Sequence, residues 1–302
     1  MVYVYTTVAL ATFAGACECF AQVHSPVVAG ADRVVVTEAR SEPIDLDLGL
    51  EARSEDDSPV TIESEDWRYS FTAWMWLLGV EGDVGARDIT ADVNADFGDI
   101  LDASDSVFAF SGRLELGMGR WGAFVDAMCS DIGVDGVSGP LGFADIDVEF
   151  EEILIDFGAT YRLGEWEPFP KAEKHRLNTT LDLYAGGRYV DLEIKIDPAN
   201  ASSRSRSLDW VDPIVGLKLV LPLSESWQLA VNGDIGGFGV ESDFTWSTTG
   251  VFGYEFELFD HPATVYLGYR ALGQDYTQGS GNDRLAWDVV QHGPLLGLSL
   301  QF

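Results

Sequence analysis

The chain has 302 residues, enough for one large domain or two ordinary ones. Hydrophobic residues make up 46% and charged residues 23%, which is not the composition of a disordered chain. Acidic residues outnumber basic ones 50 to 18, a formal net charge of −32. That balance argues against nucleic acid as a partner, because neutralising phosphates takes clustered Lys and Arg.

The 12% aromatic share, 32 Gly and nine Trp suit an all-β protein better than a helical one. At the N-terminus, Thr6 to Ala16 are small and apolar, and Cys17, Glu18, Cys19, Phe20, Ala21 and Gln22 follow. The pattern reads as a secretory signal over residues 1–21, cut after Ala21, although no Lys or Arg precedes the apolar run. A lipoprotein signal with Cys17 as the lipidated residue is the alternative, since Gly15 and Ala16 precede it. Cleavage would remove Cys17 and Cys19 and leave Cys129 alone, read as a small buried hydrophobe with no disulfide. No later stretch approaches 18 uninterrupted apolar residues, so no transmembrane helix is expected.

Residues 22–66 form a separate zone with 12 acidic and three basic residues, interrupted by Pro26, Pro43 and Pro59. No period of 2 or 3.6 runs through it, and it is expected to be an acidic leader without ordered structure. From residue 67 to 302 the character changes. Ten segments of alternating apolar and small or polar residues recur at 67–82, 105–119, 121–133, 147–163, 177–196, 208–222, 227–240, 244–258, 263–272 and 287–302. Tight turns at Gly119-Arg120, Ser224-Glu225-Ser226 and Phe259-Asp260-His261-Pro262 alternate with long connections at 83–104, 132–146, 197–207 and 273–286. Residues 164–176 and 239–243 break that alternation. Short turns on one end, long loops on the other and an even strand number predict a closed antiparallel up-and-down transmembrane β-barrel of ten strands, with eight as the alternative.

The faces agree with that reading. Leu296, Leu298, Leu300 and Phe302 share one side of the last segment, and Gly297, Ser299 and Gln301 share the other. Ile153, Ile155, Phe157, Ala159 and Tyr161 likewise oppose Asp156, Gly158, Thr160 and Arg162. In a barrel one face meets lipid and the other a polar lumen. Trp74 and Trp76 read either as lumen packing or as part of an interfacial girdle, and sharing a face with Ser70 and Thr72 favours the lumen. The charges within segments fall mostly on the non-lipid face: Arg113, Glu115, Asp126, Asp156, Arg162, Asp182, Arg188, Asp212, Lys218, Asp234, Glu255 and Arg270. A charge on the lipid face costs roughly 2–4 kcal/mol for Arg or Lys near the midplane, whereas charges in a shared interior pair with one another. Two readings of this set stand: a structural salt-bridge network filling a narrow barrel, or a selective conduction path. The final residue, Phe302, closes an alternating apolar strand, the form of an assembly signal for outer-membrane barrels.

The stretches Leu181-Asp182-Leu183-Tyr184-Ala185-Gly186-Gly187-Arg188-Tyr189, Trp210-Val211-Asp212-Pro213-Ile214-Val215-Gly216 and Gly233-Asp234-Ile235-Gly236-Gly237-Phe238-Gly239 carry a family resemblance. So do Gly268-Tyr269-Arg270 with Asp275-Tyr276, and Gly293-Pro294-Leu295-Leu296-Gly297. The chain resembles small outer-membrane β-barrels of Gram-negative bacteria, in the broad porin-like and OmpA-like group. The resemblance implies a barrel in the bacterial outer membrane, with outer-membrane lipids and the barrel-assembly machinery as partners. It implies no catalytic or ligand residues.

Chemical motifs are few. His24, His175, His261 and His292 lack metal-ligand spacing, and neither a G-x-S-x-G elbow nor a phosphate loop occurs. His261 and His292 are the nearest approach to a rim hydrolase, and no enzyme, cofactor or metal site is expected. The Asp-rich stretch 83–102 and Gly281-Asn282-Asp283 invite calcium but lack the EF-hand register, and read as solvated acidic loops that attract cations. The expected function is a non-enzymatic outer-membrane barrel with an envelope-structural or surface-contact role. The alternatives are a narrow channel for cations or small solutes, and a soluble periplasmic barrel that binds a lipid.

Overall fold

The computed structural model describes residues 67–86, 89–95, 108–138, 145–166, 178–198, 204–279 and 285–302. The signal and leader readings over 1–66 lie outside them, as do His24, His175 and Gly281-Asn282-Asp283. Twelve strands make one antiparallel sheet. They are β1 (Trp67–Leu77), β2 (Gly79–Ala86), β3 (Ile89–Ala95), β4 (Phe108–Met118), β5 (Trp121–Ser138) and β6 (Asp145–Trp166), followed by β7 (Thr179–Pro198), β8 (Arg204–Pro222), β9 (Trp227–Gly236), β10 (Phe244–Leu258), β11 (His261–Gln278) and β12 (Leu285–Gln301). β1 and β2 are one run along β12, broken at Leu78, and β3 folds back on β2. β1 also pairs with β4, and the β1–β12 ladder closes the sheet into a ring of ten. Ten strands, not eight, form the barrel.

Closure has a chemical reason. Hydrocarbon offers no partner to a backbone N–H or C=O, so a sheet that spans it must have no edge. The ends of the closing ladder are bonded too, with Tyr69 and Phe302 exchanging N–H···O bonds of 3.3 and 2.9 Å. At one end the connections are tight. Gly119 adopts φ 57° between β4 and β5, and Phe259 and Asp260 adopt φ 53° and 64° between β10 and β11. Two successive left-handed residues match the right-handed strand twist of a two-residue hairpin.

At the other end the strands run further than the sequence pattern indicates. The connections read as loops at 83–104, 132–146, 197–207 and 273–286 are largely strand: β2 and β3, the ends of β5, β7 and β11, and the starts of β6, β8 and β12. The reason is solvent. Beyond the hydrocarbon both faces of a strand meet water or protein, so backbone pairing continues while the apolar period of two disappears.

Outward positions carry exposed Leu114, Leu116, Val125, Phe157, Val215, Leu217, Val231, Phe252, Leu267, Leu296 and Leu298. Inward positions hold the polar and charged residues, together with a cluster the sequence reading did not anticipate. Trp76, Leu78, Met128, Phe150, Leu154, Val190, Leu192, Ile194, Trp210, Leu272, Trp287 and Val289 pack together inside the ring. The lumen is thus polar over only part of its length. Trp74 and Trp76 face inward, Trp74 against Tyr266 at 5.4 Å. Gly297 lies beneath Trp74, where a Cβ would strike the indole. Cys129 is buried, as the sequence reading expects of a small hydrophobe.

The outward parity of Leu267 makes it a direct test. Leu267→Arg, at a side chain 64% exposed in the middle of β11, is expected to cost roughly 2–4 kcal/mol in a lipid-vesicle unfolding titration. A change within error would mean that lipid does not cover this face.

Candidate functional site

The inward charges assemble into three groups at different heights. Across the middle, Arg188 from β7 is fully buried and grips Asp156 of β6 with Nε–Oδ1 at 2.8 Å and Nη2–Oδ2 at 2.9 Å. Its Nη2 also lies 3.2 Å from Asp234 of β9, and its Nη1 donates to Thr245 Oγ1 at 3.2 Å. Tyr184 donates its hydroxyl proton to Asp234 at 2.9 Å. Arg270 approaches Asp156 at 4.0 Å and sits over the Trp76 ring at 5.0 Å. A guanidinium buried in low dielectric is tolerable only when paired and hydrogen-bonded, and the two-point grip on Asp156 supplies both.

Nearer the tight-turn end, Arg113 of β4 binds Glu115 at 2.8 Å and Asp126 of β5 at 3.5 Å, and stacks over Phe124. Lys218 of β8 reaches across the lumen to both Glu115 oxygens at 2.8 and 2.9 Å. Close to the rim, Arg162 pairs with Asp182 at 2.7 Å and Glu165 at 2.8 Å, and Asn178 donates to Glu165. Glu255 is buried on the inward face of β10. A cavity of about 400 Å³ occupies this half of the barrel, bounded by Ser70, Glu115, Tyr184, Lys218, Tyr266 and Gln301.

Asp212 does something else. It stands opposite Arg188 in the β7–β8 ladder, yet its carboxylate accepts from Trp210 Nε1 at 3.0 Å and from the backbone N–H and hydroxyl of Ser242 at 2.9 and 2.5 Å. Those bonds pin the segment between β9 and β10. That hairpin is the low point of the wall: β9 has 10 residues, against 22 in β6. Above it, Trp210 of β8 and Tyr276 of β11 stack at 4.2 Å with planes 6° apart. Trp210 and Tyr276 both belong to the apolar cluster, which fills the lumen on the far side of the charge layer.

All twelve charged residues singled out in the sequence therefore face inward, and nine of them join the three groups through direct ion pairs or hydrogen bonds. Arg270 stands at longer range, Asp212 holds a loop, and Glu255 adds a buried carboxylate. Sequence reasoning missed Glu152, which shares the inward parity of Asp156, and Glu165, which the register shift between Arg162 and Gly164 turns inward. Parity alone would have found Glu152 but not Glu165.

The outer surface completes the picture. At the tight-turn end an aromatic girdle includes Trp121 against Tyr161 at 4.8 Å, Trp227 against Tyr254 at 5.0 Å, and Phe302 against His261 at 5.0 Å. Beyond the apolar belt at the opposite end, acidic residues stand in register: Asp275, Asp288, Asp83 and Asp92 across four strands, and Asp131, Glu151 and Glu193 across three. An apolar belt with an aromatic girdle around a closed antiparallel ring is the exterior of an outer-membrane barrel. The chain is an outer-membrane β-barrel.

No protein-family model and no curated protein matches the chain. Among solved structures it is similar to the outer-membrane protease OmpT of Escherichia coli, with 10% identity, 82% of this chain and 99% of that one covered, and a TM-score of 0.44. It is also similar to the attachment invasion locus protein Ail of Yersinia pestis, with 12% identity, coverages of 78% and 99%, and a TM-score of 0.36. A third is the translocator domain of the autotransporter NalP from Neisseria meningitidis, with 12% identity, coverages of 80% and 91%, and a TM-score of 0.34. These likenesses lend no activity or ligand to this chain.

His292 accepts from or donates to the Tyr269 hydroxyl at 2.7 Å and lies 3.5 Å from Glu81, on the outer face. Among the described residues no group of three or more His, Cys, Asp or Glu is arranged to hold a metal ion.

Two outcomes are expected. Arg188→Leu strands Asp156 and Asp234 in the lumen and should lower stability by roughly 3–5 kcal/mol, read from the temperature at which the compact gel species is lost; unchanged heat resistance would contradict the pairing. In the acidic ladder, burial together with Asp288 and Asp243 pushes the Asp275 carboxyl up. A carboxyl raised in the folded state binds its proton more tightly there, so stability falls as pH rises from the ordinary carboxylate value through the raised one. Asp288→Asn should accordingly stabilise at neutral pH, by about 0.2–1 kcal/mol, and the gain should vanish in acid; a loss at neutral pH would count against like-charge repulsion.

Proposed function

We propose that this protein is a non-enzymatic outer-membrane barrel with an envelope-structural and surface-contact role, and that its lumen does not conduct. The observation that carries this reading is the filling of the ring. Ion pairs occupy the middle, and above them Phe150, Trp210, Tyr276 and Trp287 pack into a single apolar cluster with the aliphatic side chains around them. Barrels near eight strands are filled by side chains, whereas open aqueous pores need about 16. A ring of ten lies at the narrow end of that range. Ion passage would require water in a region whose lining offers it few polar partners.

The contact role rests on the strands that rise past the belt. β6 and β7 span 22 and 20 residues, and they carry Glu151 and Glu193 on their outer faces above the membrane. Such an acidic rim raises the local cation concentration. Lipid covers the belt, and the alternating apolar face of β12 serves recognition by the assembly machinery. The channel reading keeps one favourable feature, the polar cavity at the tight-turn end, which is a blind vestibule in this account.

Planar-bilayer recording tests the proposal. The native protein should be silent at every voltage, and a variant combining Trp210→Ala with Trp287→Ala should pass stepwise current once its plug is thinned. Cation-selective steps from the native protein would establish the channel instead.

A further inference from the structure

Between the charge layer and the apolar plug lies a group of buried polar side chains that the lumen pairing does not use up. Glu152 of β6 is 2% exposed, and its Oε2 accepts a hydrogen bond from Gln291 Nε2 of β12 at 2.6 Å. That bond fixes the Gln291 amide, leaving its Oε1 without a donor, and Glu152 Oε1 has none either. On β11, Gln274 Oε1 accepts from Trp287 Nε1 at 3.0 Å, which fixes this amide as well and leaves its Nε2 without an acceptor. Arg270, four residues before Gln274 on the same inward face, has an unbonded Nε. The ladder puts these groups together: Arg270 faces Gly293, Leu272 faces Gln291 and Gln274 faces Val289.

We propose that these side chains of β6, β11 and β12 together bind one internal water molecule. The orphaned atoms are two acceptors, Glu152 Oε1 and Gln291 Oε1, and two donors, Gln274 Nε2 and Arg270 Nε. Water has two protons to give and two lone pairs to receive with, so a single molecule answers all four. A metal cation would satisfy only the two oxygens. It would leave both N–H groups unanswered and stand beside the Arg270 charge. An apolar occupant would satisfy none. With the water in place, the polar network runs unbroken from Glu152 through Arg270 and Asp156 to Arg188 and Asp234, so the carboxylate nearest the plug is held by the charge layer beneath it.

A crystal structure of the detergent-solubilised full chain, at a resolution that shows ordered solvent, is the test. The expected result is one peak at about 2.7–3.2 Å from at least three of the four atoms. Direct closure of Gln274 Nε2 onto Glu152 Oε1 with no peak overturns the proposal. So does a peak contacting oxygens alone at about 2.3–2.6 Å, the spacing of a calcium ion. Solution measurement in nanodiscs gives a second route. A long-lived water cross-peak to the Gln274 amide and the Trp287 indole should be present in the native protein and at least halved in Gln274→Met. Its absence from a folded native spectrum, or its full persistence in the variant, overturns the assignment.

Discussion

Everything in this molecule depends on one requirement: a backbone that crosses hydrocarbon must bond every N–H and C=O to itself. The β1–β12 ladder is where that requirement is met, because without it two strand edges would face lipid. Once the ring is closed, the pleat allocates the chemistry. Alternate residues point to hydrocarbon and must be apolar, and the remaining positions are freed from that constraint. Phe71 and Thr72 illustrate the division: the Thr72 hydroxyl bonds Ser299 at 3.0 Å inside the ring, while Phe71 turns outward.

The interior then has to solve its own problem, which is how to fill a narrow space without orphaned charge. It does so in layers. Arg188 is held by Asp156, Asp234 and Thr245 together, and Glu115 is shared between Arg113 and Lys218. Each of these cations is thereby neutralised within the lumen, by carboxylates that outnumber them. On the far side, apolar packing replaces pairing. A barrel built this way is greasy outside, salt-bridged at mid-height and apolar above.

Much of this was legible in the sequence, for physical reasons that also explain the gaps. Period two survives wherever one face meets lipid, so Leu296, Leu298 and Leu300 declare the side they face, and the inward charges declare the other. The same signal fades above the membrane, which hid the full length of β6 and β7. It is also blind to what fills the lumen. Val190, Leu192 and Ile194 share the face of Arg188 yet are apolar, so a rule that interiors are polar could not anticipate the plug. Partners are hidden for a different reason. Lys218 and Glu115 are 103 positions apart, and Asp212 meets Ser242 in a loop rather than the arginine beside it. Those pairings follow from ring closure, not from local pattern.

The most direct measurement places a spin label at each position from Leu295 to Phe302 in turn, in lipid vesicles, and compares collision with oxygen against collision with a water-soluble nickel chelate. Labels at Leu296, Leu298 and Leu300 should collide mainly with oxygen, and labels at Gly297 and Ser299 should be shielded from it, giving an oscillation of period two along β12. A flat profile, or nickel access at the three leucines equal to that of a soluble control, would contradict the account at its root.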